Sequence, residues 1–179
     1  ESGFNLVSND NEMGIETSPF AADVEEPGSI AVDAKLFSDF LRSLPDGIIT
    51  VECAKNNVIY MKSGKSEFKL MGQDERNFPK LDTIEADSRF AMDSKTLKDM
   101  IRKTIFSTSA DTSRPVFTGE LFRVSDNIFT VVAADIYRIS LINTPVEMDK
   151  KDDFIIPSKT LNELIKILPD ENEEINISL

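Results

Sequence analysis

The chain states one local plan three times. "IAVDAKLFSDFLRSLPDG" from Ile30, "FAMDSKTLKDMIRKTIFS" from Phe90 and "FIIPSKTLNELIKILPDE" from Phe154 share an order: three strand-like residues, Asp or Pro, a small residue, Lys, then an amphipathic stretch. Their starts lie 60 and 64 residues apart. Such repetition constrains a fold more than composition does, because every copy must bury the same face with the same kind of element. The first and third copies also share Leu-Pro-Asp, at Leu44 to Asp46 and Leu168 to Asp170, which the middle copy lacks, so two types of unit alternate. A longer period shows in "FNLVSND" from Phe4 and "FTVVAAD" from Phe129, which puts Asp10 and Asp135 at equivalent positions 125 residues apart.

Each copy reads as a helix start. Asp33 and Asp93 stand where an N-cap carboxylate accepts from free first-turn amides, and Pro157 fits a first-turn position, where its missing N–H costs nothing. Leu36, Phe37, Phe40, Leu41 and Leu44 form an apolar stripe at helical spacing. Leu97, Met100, Ile101 and Ile105 repeat it, as do Leu161, Leu164, Ile165 and Leu168. Between them, "NVIYMKSGKSEFKLMG" and "ELFRVSDNIFTVVAAD" alternate as two strands about a polar turn. "KSGKS" is therefore a hairpin turn, since it lacks the spacing of a phosphate loop. A helix with one apolar stripe must cover a sheet, which predicts an α+β fold with helices on one sheet face. Patterning lapses into a charged, Pro-containing stretch across 72–90, predicting a crossing between a first domain, 1–86, and a second, 87–179.

The chemistry open to the chain is narrow. Its 179 residues are enough for a real core, with about 70% of the unfolded surface buried. No apolar run approaches the ~20 residues that span a bilayer, so no membrane partner is expected. The single cysteine, Cys53, excludes an internal disulfide and a cysteine zinc site, and its place in the alternating "ITVECA" predicts a buried strand position. There is no histidine, which removes the commonest general base and metal ligand. Carboxylates remain, with Asp10, Asp46, Asp74, Glu75, Asp135 and the acids of 170–174 as raw material. Acids in turns are ordinarily just solvated, so no catalytic residue, metal site or cofactor is assigned. The chain begins at Glu1 and stops inside the strand-like "INISL", and both ends read as cut.

Charge is segregated along the sequence. Lys35, Lys95 and Lys159 occupy one slot of the repeat, and Arg42, Arg102 and Lys166 another slot seven residues on. Seven residues is nearly two helical turns, so each helix carries two cations about 10 Å apart, opposite its apolar stripe. The segments 33–44, 93–104 and 157–168 hold eight basic and five acidic residues, a net +3, which leaves −15 for the rest of a chain whose total is −12. Lys and Arg are good helix formers on any wet face. Three copies in register within an acidic protein instead suit a polyanion held at one surface through its backbone, without sequence readout.

In sequence order, "VDAKLFSDFLRSLPDG", "VIYMKSGKSEFKLMGQDERNFPKL", "DTSRPVFTGELF" and "VVAADIYRISL" resemble landmarks of the bacterial beta sliding clamp family, the processivity subunit of DNA polymerase III. The resemblance runs essentially from end to end. It implies a clamp fold with helices on an inner, DNA-facing side and sheets outside, in a head-to-tail homodimeric ring of three similar domains per subunit. It also implies that the chain lacks the start of domain one, the end of domain two and all of domain three. Double-stranded DNA, a second subunit, the polymerase III alpha subunit, the clamp loader and other proteins with a clamp-binding motif are the implied partners, in the bacterial cytoplasm. The DNA-facing residues it implies are Lys35, Arg42, Lys95, Lys98, Arg102, Lys159 and Lys166, with Arg114 of "DTSRP" as a further phosphate contact. A hydrophobic pocket for partner peptides would have Phe117, Ala134, Ile136, Tyr137, Arg138 and Ile139 as its domain-two wall. Here the chain reads "AADIYRI" where the family usually reads Ala-Thr-Asp-x-His-Arg-Leu, so Ala134, Tyr137 and Ile139 alter the lining.

Two other classes fit parts of the sequence. A repeat scaffold that binds protein or peptide partners without encircling DNA explains the repeats but not the cations in register. A carboxylate-dependent hydrolase requires convergent acids in a pocket.

Overall fold

The computed structural model describes residues 3–79, 81, 89–148 and 151–178. The chain divides into two compact units, Glu1–Asp82 and Thr83–Leu179. The expected 86/87 boundary lies outside the described residues, as does much of the 72–90 stretch. Its described part contains an isolated bridge, Ala31 to Gln73, a 3₁₀ turn, Glu75–Asn77, capped by Asp74, and at 89–90 the start of a strand.

The first unit opens with short strands β1 (Gly3–Phe4), β2 (Val7–Asn9), β3 (Gly14–Glu16) and β4 (Phe20–Ala21). β2 pairs with β3 and β1 with β4, both antiparallel. Helix α1 (Ala34–Ser43) follows, then β5 (Thr50–Cys53), β6 (Val58–Ser63) and β7 (Ser66–Met71), an antiparallel sheet in the order β5-β6-β7. The β6–β7 hairpin turns at Gly64, whose φ of +58° is the left-handed conformation that glycine adopts without strain. Ile59, Met61 and Leu70 form a small buried core, against which Phe37, Phe40 and Leu41 of α1 pack. Two sequence expectations change here. Residues 30–32 form no strand beyond the bridge at Ala31, and Cys53 is exposed, because β5 is an edge strand with neither face covered among the described residues.

The second unit repeats one strand–helix–strand step. β8 (Arg89–Asp93) leads into α2 (Ser94–Thr104), followed by β9 (Gly119–Ser125), β10 (Ile128–Ala134) and β11 (Ile139–Pro145). β12 (Asp152–Pro157) then leads into α3 (Ser158–Ile167) and β13 (Glu174–Ser178). The strand entering each helix pairs antiparallel with the strand leaving the other helix, β12 with β9 and β8 with β13. The first helical amides show the same exchange: Ser94 N–H donates to Glu173 O at 2.8 Å and Ser158 N–H to Thr118 O at 3.0 Å. The repeat seen in sequence is thus a local two-fold relation within this unit.

Period-two alternation sets the core. Phe122 and Val124 of β9 and Phe129, Val131 and Ala133 of β10 point inward and are buried. Leu97, Met100 and Ile101 of α2 and Leu161 of α3 close over the same cluster. Phe129 meets Phe122 edge-on, with centroids 5.3 Å apart, and Phe90 at 5.4 Å. The β9–β10 turn takes left-handed angles at Asp126 and Asn127, as a two-residue hairpin turn requires. At Gly119 a Cβ would sit 2.4 Å from Ile156 O, so only glycine lets β12 approach there. Pro157 caps α3 from the extended end of β12, one place before the first helical turn expected for it.

Candidate nucleic-acid interface and partner pocket

The helices begin where expected. Asp33 accepts from Leu36 N–H and Asp93 from Thr96 N–H, each at 2.8 Å, which satisfies one orphan amide per helix. The apolar stripes then fix which residues face water. Lys35 and Arg42 of α1, Lys95 and Arg102 of α2, and Lys159 and Lys166 of α3 are all exposed. Arg114 is exposed too, at the entry to the 3₁₀ turn Pro115–Phe117.

Lys98 departs from the expectation. It is 5% exposed, and its Nζ donates to Leu168 O at 2.6 Å and pairs with Asp170 at 2.9 Å. Three residues past Lys95, it lies on the flank of α2 that faces the end of α3, so its charge ties two helices together instead of meeting a ligand. Asp170 itself is exposed, and the Arg102 guanidinium is 3.8 Å from the same carboxylate oxygen. The Lys98 hydrogen bond first, then the charges of Lys98, Arg102 and Lys95, hold the Asp170 carboxyl below the ordinary range. On α3, Lys166 pairs with Glu163 at 2.7 Å. Lys35, Arg42 and Arg114 have no ion-pair partner among the described residues.

The candidate pocket wall is one turn and the strand ends it joins. Ala134 and Ile139 are cross-strand partners at the end of the β10–β11 ladder. Between them, Asp135 N–H donates to Arg138 O at 3.0 Å, and Asp135 Oδ1 accepts from the N–H groups of Tyr137 and Arg138 at 2.8 and 2.9 Å. Its other oxygen accepts from Arg138 Nε at 3.0 Å. These bonds, led by that from Tyr137 N–H, keep the Asp135 carboxyl low and ionised. With its backbone tied down, the turn leaves Ile136, Tyr137 and Ile139 exposed, Tyr137 at 89%. Phe117 comes from a different segment, the turn before β9, and is half-buried.

Two residues near this wall escaped the sequence reading. Phe106, just beyond α2, is exposed and its ring centroid lies 5.6 Å from the Arg138 guanidinium carbon, a cation–π contact beside the bond to Asp135. No sequence spacing links 106 to 138. Leu141 is exposed on the same face of β11 as Ile139 and was discoverable, because it lies two residues on.

A family model of the DNA polymerase III beta subunit, N-terminal domain, matches residues 1–82, and one of the same subunit's central domain matches residues 91–179. A beta sliding clamp of Halalkalibacterium halodurans is 39% identical, over 97% of this chain and 48% of the relative. That of Bacillus subtilis is 30% identical, over 99% of this chain and 49% of the relative. Among solved structures, a putative DNA polymerase III beta subunit of Eubacterium rectale superposes with a TM-score of 0.94 at 33% identity, covering 100% of this chain and 49% of that one. The Bacillus subtilis sliding clamp structure gives a TM-score of 0.92 at 30% identity, covering 99% and 49%. The chain therefore spans about half the length of the curated relatives it matches, with the α+β clamp fold of those structures. It belongs to the DNA polymerase III beta subunit family.

Proposed function

We propose that this chain is part of a sliding clamp, a non-catalytic processivity subunit that forms a homodimeric ring around duplex DNA and tethers the replicative polymerase. Glu1–Asp82 supplies the latter part of a first clamp domain and Thr83–Leu179 most of a second. Lys35, Arg42, Lys95, Arg102, Arg114, Lys159 and Lys166 face the phosphates. Lys98 supports them from within. The observation that carries this reading is the recurrence of exposed cations at two fixed slots of three helices in a chain of net charge −12. Exposed, screened cations bind a polyanion weakly, and equivalent phosphates recur along the duplex, so such contacts permit sliding. Retention then depends on encirclement rather than affinity.

The wall around Asp135 receives the apolar part of a peptide from the polymerase III alpha subunit, the clamp loader or another protein with a clamp-binding motif. Support comes from Ile136, Tyr137 and Ile139, which stay exposed around a turn that Asp135 closes through the N–H groups of Tyr137 and Arg138. The work takes place in the bacterial cytoplasm, on the nucleoid.

The experiment is one of topology. A clamp carrying these residues is loaded with loader and ATP onto a nicked circular plasmid, and its retention is followed before and after one cut linearises the DNA. Retention on the circle with loss from the line is expected. Equal retention on both overturns encirclement.

A further inference from the structure

The middle helix differs from the other two at one slot. Lys98 is the fifth residue after its N-cap, and the same slot holds Ser38 in α1 and Asn162 in α3. Lys98 is buried, so its ammonium needs fixed oxygen acceptors, which Leu168 O supplies at 2.6 Å and Asp170 at 2.9 Å. Asp170 is itself exposed, and it lies 3.8 Å from Arg102, one of the cations read above as facing phosphate. An exposed acid in a solvated loop would ordinarily drift from an arginine at little cost. Here a buried lysine prevents that.

We propose that Asp170 is a built-in competitor for phosphate, pinned by Lys98 so that Arg102 is always partly neutralised and α2 grips duplex DNA more weakly than its cations alone would. The inference rests on the DNA-binding reading and deepens it. A phosphate approaching Arg102 meets a guanidinium already shared and a negative charge that cannot move away. The effect is loose contact at the most cation-rich of the three helices, which carries Lys95, Lys98, Arg102 and Lys103.

The test is binding of the 179-residue chain to a fluorescein-labelled 20-base-pair duplex by anisotropy, across a salt series. The proteins compared are wild type, Asp170→Asn, Asp170→Ser, Arg102→Ala and the double variant Asp170→Asn with Arg102→Ala. Asparagine keeps an oxygen acceptor for Lys98 and loses only the charge; serine removes the charge with a smaller acceptor. Both should tighten binding about two- to fivefold at low salt, the size of one exposed ion pair. A freed Arg102 adds one phosphate contact, so the plot of log K against log salt should steepen by about 0.9, which a purely structural role would not cause. The gain should vanish in the double variant. If Arg102→Ala weakens binding while both Asp170 variants match wild type in affinity and slope, the competitor role is wrong and the DNA reading survives. If Asp170→Asn and its double variant with Arg102→Ala bind alike at every salt concentration, Arg102 touches no phosphate even when freed, and the DNA reading of that residue fails and the competitor role with it.

Discussion

The turns at Asp10 and Asp135 share a design and differ in everything they present. Asp10 accepts from the N–H groups of Glu12 and Met13 at 3.0 and 2.8 Å, as Asp135 does from Tyr137 and Arg138, and each aspartate N–H donates to the carbonyl three residues on. The same three hydrogen bonds therefore close both turns, with Asn11 at a left-handed φ of 68° in the first. In the first unit the turn displays Asn11, Glu12 and Met13; in the second it displays Ile136, Tyr137 and Arg138, the last braced by Phe106. The repeat fixes the frame, and the side chains between its ends decide what each frame presents to solvent.

Burial separates the two units more sharply still. Phe4 and Phe129 hold equivalent places in the repeat, yet Phe4 is 40% exposed and Phe129 1%. Phe129 lies in a four-stranded sheet beneath α2, while Phe4 lies in a two-stranded one, β1 with β4, among the described residues. Phe129→Ala should cost about 3–5 kcal/mol, the range for truncating a buried phenylalanine. Phe4→Ala should cost less than about 1 kcal/mol, as exposed sites do. Urea denaturation of the two variants measures this, and similar losses would show that the hairpins are equally packed in solution.

The deeper core also encloses a carboxyl group. Glu120 is fully buried, with Oε1 2.8 Å from Thr104 Oγ, which lies 2.8 Å from Met100 O, and with no partner for Oε2 among the described residues. Burial raises its pKa to about 7. Thr104 Oγ1 donates to Oε1, which favours the charged form and only partly offsets the effect of burial. The unfolded chain ionises this group near its ordinary value, so between pH 4.5 and 7 the folded state holds more protons and stability falls as pH rises. The full loss, about 3 kcal/mol, is reached above pH 7 and recovered below pH 4.5. Glu120→Gln should flatten the profile of second-unit stability over pH 5 to 8, and an unchanged slope would locate the titration elsewhere. The first unit has no buried charged group among its described residues, and its own profile lacks this component.

Much of this was readable in the sequence because it depends on near neighbours. Helix caps, apolar stripes and hairpin turns at Gly64 and Asp126-Asn127 are set by residues within a few positions of one another. Long-range partners left no such trace. Lys98 looked like any surface lysine, because its burial is made by Leu168 and Asp170, seventy or more residues away. Cys53 looked buried because alternation shows that a strand has two faces without showing that either is covered. Arg138 was singled out through the resemblance, but its stacking partner Phe106 was invisible until the fold joined them.

Smaller effects sharpen the comparison between the turns. Removing either aspartate carboxylate strips two backbone amides of their acceptor, so Asp10→Ala and Asp135→Ala should each cost about 1–2 kcal/mol by thermal melting. Only Asp135→Ala should also weaken capture of a clamp-binding peptide, because only that turn presents a branched aliphatic and an aromatic side chain, Ile136 and Tyr137, and holds Arg138 through Nε. Equal peptide affinity in wild type and Asp135→Ala would show that the exposed residues bind without the turn's help.

The smallest expected change compares α1 with α2 and leaves stability within about 0.5 kcal/mol, since both residues are exposed. Arg42 has no ion-pair partner among the described residues, whereas Arg102 shares its charge with Asp170. A phosphate at Arg42 meets a whole positive charge; one at Arg102 meets a charge already partly offset. Arg42→Ala should therefore weaken duplex binding at low salt about two- to fivefold, and Arg102→Ala by less, with both differences shrinking as salt screens exposed pairs. The reverse order would mean that position along the helix, and not the local counter-charge, sets how much each cation contributes.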